Sequence, residues 1–354
     1  MLLCLTSSQI RSRREFLCRM GINATINKRS LHKSVSIERL TPFDSADKPV
    51  YDIRDTITST NEFFLENPRG AYTGARTVNR KAIVELDAHI ERIANSMRIM
   101  KFIPPTFADN TEEPIRIASE LEPLRNPQTL REILIPLLRA GMHRYLSRED
   151  VPAEGDIKLG VVACYCFEKM KPRLMAHFDH LHTPQVERCK VEVWGEPRES
   201  AQAKDSKWVR ERMSLDASKQ PDTNEVLLTD HLHAVYEGIA SNFFAVLPSN
   251  SSSCCFEIHT APLEYVLLGT IMRVVLLVCE RESIKVKYEF PDLRTATEWE
   301  GAFLASTSRL VLPIETIRFR DGQQAIHFPR KSEFIEWLRE EVTKEVVRRA
   351  VPIL

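Results

Sequence analysis

From residue 158 onward the chain alternates short apolar runs with polar breaks, and this pattern constrains its fold more than any other feature. Runs fall at 158–167, 191–194, 225–229, 243–247, 255–259, 284–288, 302–305 and 311–317. Stretches of this length, rich in Val, Ile and Phe and bounded by Gly, Pro, Asn or Asp, read as β-strands. Two helices interrupt and follow them, at 270–281 and 333–349. In the second, Ser332 can cap the start, Phe334, Leu338, Val342 and Val346 form an apolar stripe, and Arg348 and Arg349 fall at the C-terminal end, where cations are favoured.

The first half reads differently. A helix is expected over 52–65, stopped by Asn67-Pro68-Arg69-Gly70. A strand at 71–78, a hairpin through Asn79-Arg80-Lys81 and a strand at 82–86 come next. Asp87 is a candidate N-cap for a helix whose Ile90, Ile93, Ala94 and Met97 keep helical spacing. A further helix spans about 130–145. The polar stretch 147–155 breaks periodicity and places a domain boundary near 154/155. The expectation is an α+β chain with a small N-terminal α/β domain at 41–154 and a larger, strand-rich C-terminal domain at 155–354.

Charge narrows the partners. Lys+Arg and Asp+Glu both number 49 among 354 residues, so no global field favours nucleic acid or a membrane surface. The longest apolar stretch, 266–279, contains Arg273 and is too short to span a bilayer. Residues 1–36 stand apart: Arg11, Arg13, Arg14, Arg19, Lys28, Arg29 and Lys33 face one acid, Glu15. That composition suits an organellar transit peptide, mitochondrial before plastid, over 1–40; a disordered basic tail is the alternative. The eight cysteines show no framework spacing, and Cys164 and Cys166 alternate onto one face of a strand as buried thiols. His177, His180 and His182, with Cys189 downstream, fit no common zinc spacing and are read as part of an inserted loop over 171–184.

Four motifs follow in order: Ala203-Lys204-Asp205-Ser206-Lys207-Trp208, then Glu237-Gly238-Ile239-Ala240-Ser241-Asn242-Phe243-Phe244, then Gly269-Thr270-Ile271-Met272-Arg273, then Ser306-Thr307-Ser308. Upstream stands His89-Ile90-Glu91-Arg92-Ile93. A lysine, an acid in a turn, a glycine opening a helix and a hydroxyl cluster can together hold a charged aromatic phosphate. No single motif is specific; their order and spacing are. Over roughly 67–316 the set resembles the class IV pyridoxal-phosphate enzymes, which include branched-chain aminotransferases, D-amino-acid aminotransferases and aminodeoxychorismate lyases.

The resemblance implies a two-domain class IV fold, pyridoxal 5′-phosphate as cofactor, an amino acid and a 2-oxo acid as substrates, and a homodimer. It makes Lys204 the Schiff-base lysine. Lys204 precedes Glu237 by 33 positions, close to the family's separation, whereas Lys207 precedes it by 30. Glu237 is then the acid facing the pyridine nitrogen, with Asn242 bracing its turn. The phosphate falls to Arg92, the Gly269 turn with the amides of Thr270 and Ile271, and Thr307 with Ser308. One departure is that many members have a hydroxyl residue one position later than Thr270. For the substrate, Tyr72, Gly74 and Arg76 share one face of a strand, and Arg210 and Arg212 share a face if extended, so any of these arginines can serve a carboxylate. Trp208 stands near the place of a family tyrosine, and an indole cannot accept a hydrogen bond as a phenol does. The implied activity is an aminotransferase. A lyase on the same cofactor, or a catalytically silent binding or scaffold member, are the alternatives.

Overall fold

The computed structural model describes residues 33–103, 112–183, 185–199, 201–249, 255–320 and 325–354. In chain order the elements are β1 (Ser34–Arg39), β2 (Tyr51–Thr56), α1 (Thr60–Glu66), β3 (Gly70–Val78), β4 (Ala82–Val84), α2 (Leu86–Ile99), α3 (Glu112–Arg125), α4 (Pro127–Leu146), β5 (Ile157–Cys166), β6 (Lys171–His180) and β7 (Cys189–Gly195). They continue with α5 (Lys207–Ser218), β8 (Glu225–Thr229), β9 (Val235–Gly238), β10 (Asn242–Pro248), β11 (Phe256–Thr260), α6 (Thr270–Arg281), β12 (Val286–Tyr288), a 3₁₀ turn at Leu293–Glu298, β13 (Gly301–Ser306), β14 (Leu310–Phe319), β15 (Ala325–His327), α7 (Glu333–Arg348) and β16 (Ala350–Pro352).

Two sheets organise these elements. The first has seven strands in the order β16-β4-β3-β5-β6-β1-β2. Its core packs α2, α3 and α4 on one face, through residues such as Ile93, Met97, Leu121, Leu134 and Phe178. On the other face, Phe63 and Phe64 of α1 pack on Tyr72, Val162 and Cys164. The second sheet has nine strands, and β9 pairs with both β8 and β10, so β10-β13-β14-β7-β8-β9 closes on itself. Val191, Leu227, Phe243, Leu304 and Leu312 belong to the cluster packed along this ring. Helices α6 and α7 cover a neighbouring cluster around Phe244 and Phe303. The architecture is α+β, with two domains, as the strand pattern implied.

Several local expectations are corrected. The stretch 52–65 is not one helix. Its first part, Tyr51–Thr56, is a strand that pairs with β1, and α1 begins only after Ser59, whose hydroxyl accepts from the Glu62 amide while Glu62 accepts from the Ser59 amide. The hairpin through Asn79, Arg80 and Lys81 holds: these three residues join Val78 to its partner Ala82, with Asn79 and Arg80 in left-handed backbone at φ of 53° and 61°. Helix α2 starts after Glu85 in left-handed backbone, so Asp87 does not cap it. Helix α3 was not expected, and Pro123 lies within it. Residues 171–180 form no inserted loop: β6 pairs with the whole of β5, and Met175, Ala176, His177 and Phe178 are all buried. The proline and three histidines masked a strand covered on both faces. His177 accepts or donates to Ser36 at 2.9 Å and stacks on Phe63, and no group of metal-ligating residues exists among the described residues.

The polar stretch 147–155 leads into β5, which belongs to the same sheet as β3, so the change of sheet comes between His180 and Cys189. Cys164, Cys166, Cys189 and Cys279 are buried free thiols, and burial pushes Cys164 and Cys189 up to about 12. Strand β1 falls inside the stretch 1–40 read as a transit peptide or tail, and residues 1–32 lie outside the described residues.

Candidate active site

One cavity gathers residues from both sheets: Tyr72 and Gly74 of β3, Arg92 of α2, Lys204, Glu237 of β9, Thr270 and Ile271 of α6, and the turn at Ser306, Thr307 and Ser308. The segment carrying Lys204 is stitched to the start of β3. The Tyr72 amide donates to the Lys204 carbonyl at 2.9 Å, the Ser206 amide to the Gly70 carbonyl at 2.9 Å, and the Gly70 amide to the Ser206 hydroxyl at 3.1 Å. Arg69 pairs with Asp205 beside them, and the Lys204 amide donates to the Ser96 hydroxyl at 2.9 Å. Five anchors on the three residues 204–206 fix the lysine before α5 begins.

The side chain then enters the cavity. Lys204 Nζ lies 5.0 Å from the centre of the Tyr72 ring. Desolvation lowers its pKa to about 8, aided by Arg92, Arg198 and Arg212 and opposed by Tyr72. Lys207 is placed quite differently: it is exposed, paired with Glu211 at 2.9 Å, and its pKa is raised by that partner. Only the first of the two lysines has an amine that is both enclosed and readily neutral.

Glu237 is buried at the end of β9, opposite Asn242 of β10. Burial raises its pKa, and Arg198 opposes the rise by donating to Oε1 through Nε at 2.8 Å and Nη2 at 2.5 Å. The Leu267 amide donates to Oε2 at 3.3 Å. Asn242 donates from Nδ2 to the Leu267 carbonyl at 2.8 Å, tying the Glu237 turn to the approach of α6. Gly269 precedes α6 in extended backbone (φ −66°, ψ 148°), and a Cβ there would stand 2.2 Å from Asn242 Oδ1. The glycine therefore permits the close approach that turns the first amides of α6 toward the cavity.

Arg92 is half-buried, and desolvation lowers its pKa to about 10. Its Nη2 donates to the Thr73 hydroxyl and meets His89 Nδ1 at 3.1 Å, while Nε has no partner. Burial, with Arg92 and Lys204 nearby, holds His89 well below its usual value and therefore neutral. The Tyr72 hydroxyl and Ser306 Oγ are likewise buried without partners. Thr307 donates to the Gly74 carbonyl at 3.2 Å, and Ser308 also borders the cavity.

The other expected substrate residues divide. Arg76 pairs with Asp156 at 3.1 Å and donates to the Thr307 carbonyl at 3.4 Å, holding two loops together rather than lining the cavity. Arg210 is exposed and donates to the Leu65 and Asn67 carbonyls at 2.8 and 3.1 Å. The expected extended geometry is replaced by α5, where residues two apart diverge, so Arg212 borders the cavity and Arg210 does not. Trp208 also borders it, donating from Nε1 to the Ile239 carbonyl at 2.9 Å beneath Arg198. Arg198, Lys158 and Asn61 border the cavity too and were missed in the sequence. Arg198 follows Pro197 in a charged loop, where nothing in the local pattern sets it apart.

The Amino-transferase class IV family model matches residues 70–317, more than half of the chain, and the chain belongs to that family. The structure is similar to a hypothetical aminotransferase from Mycobacterium tuberculosis in its PLP-bound form (15% identity, 79% of this chain and 89% of that chain, TM-score 0.56). It is also similar to a branched-chain aminotransferase from Thermoproteus uzoniensis with norvaline (15% identity, 91% and 100%, TM-score 0.61) and a fold IV transaminase from Curtobacterium pusillum (15% identity, 89% and 99%, TM-score 0.63). No curated protein sequence matches the chain. The cofactor of this family is pyridoxal 5′-phosphate, and the cavity fits it. The unpartnered Arg92 Nε and Ser306 Oγ, the free amides opening α6 and the enclosed Lys204 amine supply donors and a nucleophile where such a molecule needs them.

Proposed function

We propose that this protein is a pyridoxal-phosphate-dependent aminotransferase that moves an amino group between an amino acid and a 2-oxo acid, with Lys204 as the attaching lysine. The observation that carries the reading is the enclosed Lys204 amine, with its pKa lowered to about 8, in one cavity with the buried Glu237 and the start of α6. When bound, the cofactor supplies a carbonyl that captures the substrate amine and a conjugated ring that takes up the electrons left at Cα. Lys204, with its pKa lowered to about 8, would be a base of suitable strength to take the proton from substrate Cα. Glu237, kept ionised by Arg198, holds a proton on the ring nitrogen. Arg92, the amides of Thr270 and Ile271, and the hydroxyls of the 306–308 turn hold the phosphate. Trp208 and Ile239 cover the remaining side and keep water from it.

The test is a visible spectrum of the protein loaded with cofactor, followed by borohydride reduction and peptide mapping. A label on Lys204 and turnover that requires a 2-oxo acid acceptor support the reading. Turnover without an acceptor indicates a lyase, a label on Lys207 moves the attachment site, and no bound cofactor indicates a binding or scaffold role. We infer a homodimer from the family; light scattering showing a fully active monomer would exclude it.

A further inference from the structure

The cations around the cavity are nearly all matched. Arg198 is matched by Glu237 at 2.5 Å. Arg92 and the start of α6 face the place proposed for the phosphate, and Lys204 is the proposed attachment point. Lys158 of β5 stands opposite Asp179 of β6 in register, and burial lowers its pKa. Arg212 is the guanidinium lining the cavity that has no carboxylate partner among the described residues and is not assigned to the phosphate. Its guanidinium makes two long contacts to neutral acceptors, the Ile239 carbonyl at 3.4 Å and Asn61 Oδ1 at 3.5 Å. Its neighbour Glu211 is paired with Lys207 instead. Both Arg92 and Arg212 act electrostatically on Lys204 and on Tyr72, and Arg212 acts on Lys158 as well.

Every substrate of the proposed reaction, amino acid or 2-oxo acid, carries one α-carboxylate. Such a group needs a planar donor that can bond both oxygens, and a guanidinium is that donor. We propose that Arg212, positioned by Asn61 of α1 and borne on the helix that follows the attaching lysine, anchors the substrate's α-carboxylate. This rests on the aminotransferase reading above. Lysine and carboxylate anchor then lie on one stretch of chain, and the substrate's amine and acid are placed together by a single helix start.

The test uses protein loaded with pyridoxal phosphate and two ligands that lack a reactive amine, isocaproate and isocaproamide, titrated by calorimetry. The native protein is expected to prefer the carboxylate by about tenfold or more, the scale of a charge-assisted contact. Arg212→Gln is expected to abolish that preference and to raise KM for both amino donor and 2-oxo acid about tenfold with kcat little changed. Arg212→Lys should recover part of the preference. Reduction by borohydride should still label Lys204 in each variant, so loss of the anchor is distinguished from loss of the cofactor. Equal binding of both ligands by the native protein, a preference that survives in Arg212→Gln, or loss of cofactor from that variant each overturns the proposal. If Arg212→Gln fails to fold, Asn61→Ala and the native preference still decide it. A native protein that takes up no cofactor refutes the aminotransferase reading, while the titration still reports on Arg212.

Discussion

Replacing Arg198 by Met isolates what the Arg198–Glu237 pair contributes. The two side chains are 8% and 6% exposed and share two hydrogen bonds at 2.8 and 2.5 Å, so neither charge has water to fall back on. Removing one partner of a buried pair costs about 3–5 kcal/mol, because the other charge is left unanswered. Here the survivor is Glu237, whose pKa burial already raises; without Arg198 it rises further. Arg198→Met is therefore expected to lower unfolding stability in urea by about 3–5 kcal/mol at neutral pH, and by less at acid pH, where the carboxyl protonates. The variant should also lose turnover, because a neutral carboxylic acid no longer holds the ring nitrogen protonated. Glu237→Gln should be costly for the mirror reason, stranding the guanidinium. The double variant Arg198→Met with Glu237→Gln should be less destabilised than the two losses added together, giving a coupling of about 1–3 kcal/mol. A loss below about 1 kcal/mol in Arg198→Met, or additive single losses, would refute the argument that this pair is internally compensated.

Three further outcomes follow from the same cavity. In cofactor-free protein, acylation of Lys204 should titrate with a midpoint of about 8, while Lys207, raised by Glu211, titrates above the ordinary lysine range; mass mapping across pH separates them. The sign for stability is set by the same shift: folded Lys204 binds protons less tightly than unfolded, so this residue's penalty is full below about pH 8 and is relieved as pH rises toward about 10.4. Arg92→Ala is expected to weaken cofactor binding roughly tenfold to a hundredfold while leaving the apo fold nearly intact, measured by fluorescence titration beside urea unfolding; equal cofactor affinity would make Arg92 structural. Gly269→Ala should cost about 1–3 kcal/mol and much of the cofactor affinity, since the new Cβ meets an Asn242 side chain pinned to Leu267; an unaltered dissociation constant would show that the turn relaxes.

The elements legible in the sequence were those whose pattern is local. Helices α6 and α7 carry full apolar stripes, and Ser332 caps α7 by accepting from the Ile335 amide. Strands β8, β10 and β13 are uninterrupted apolar runs. The misread elements are those whose identity comes from a distant partner. Strand β2 gains its hydrogen bonds from β1, and β6 buries one histidine, His177, which meets Ser36 and Phe63. The site divides in the same way. Lys204, Glu237, Asn242 and Gly269 sit in motifs with fixed spacing and come together in one region. Arg198 and Arg212 lie in charge-rich stretches where side chains of equal chemistry point outward, as Arg210 and Lys207 do. For Arg212 it is the turn of α5, and for Arg198 the distant Glu237, that decides which points inward.

Strand β16 carries a consequence for how the chain must be made. Ala350, Val351 and Pro352 pair with Val84, Ile83 and Ala82, and the Ile353 amide reaches the Lys81 carbonyl. The first sheet thus borrows its outermost strand from residues synthesised after the whole second sheet. During translation β4 waits at an open edge, with its outward backbone groups unpaired, until those residues emerge. Removing 350–354 would leave the β4 edge free for other strands, so this short segment covers that edge in the folded protein but not while the chain is still being made.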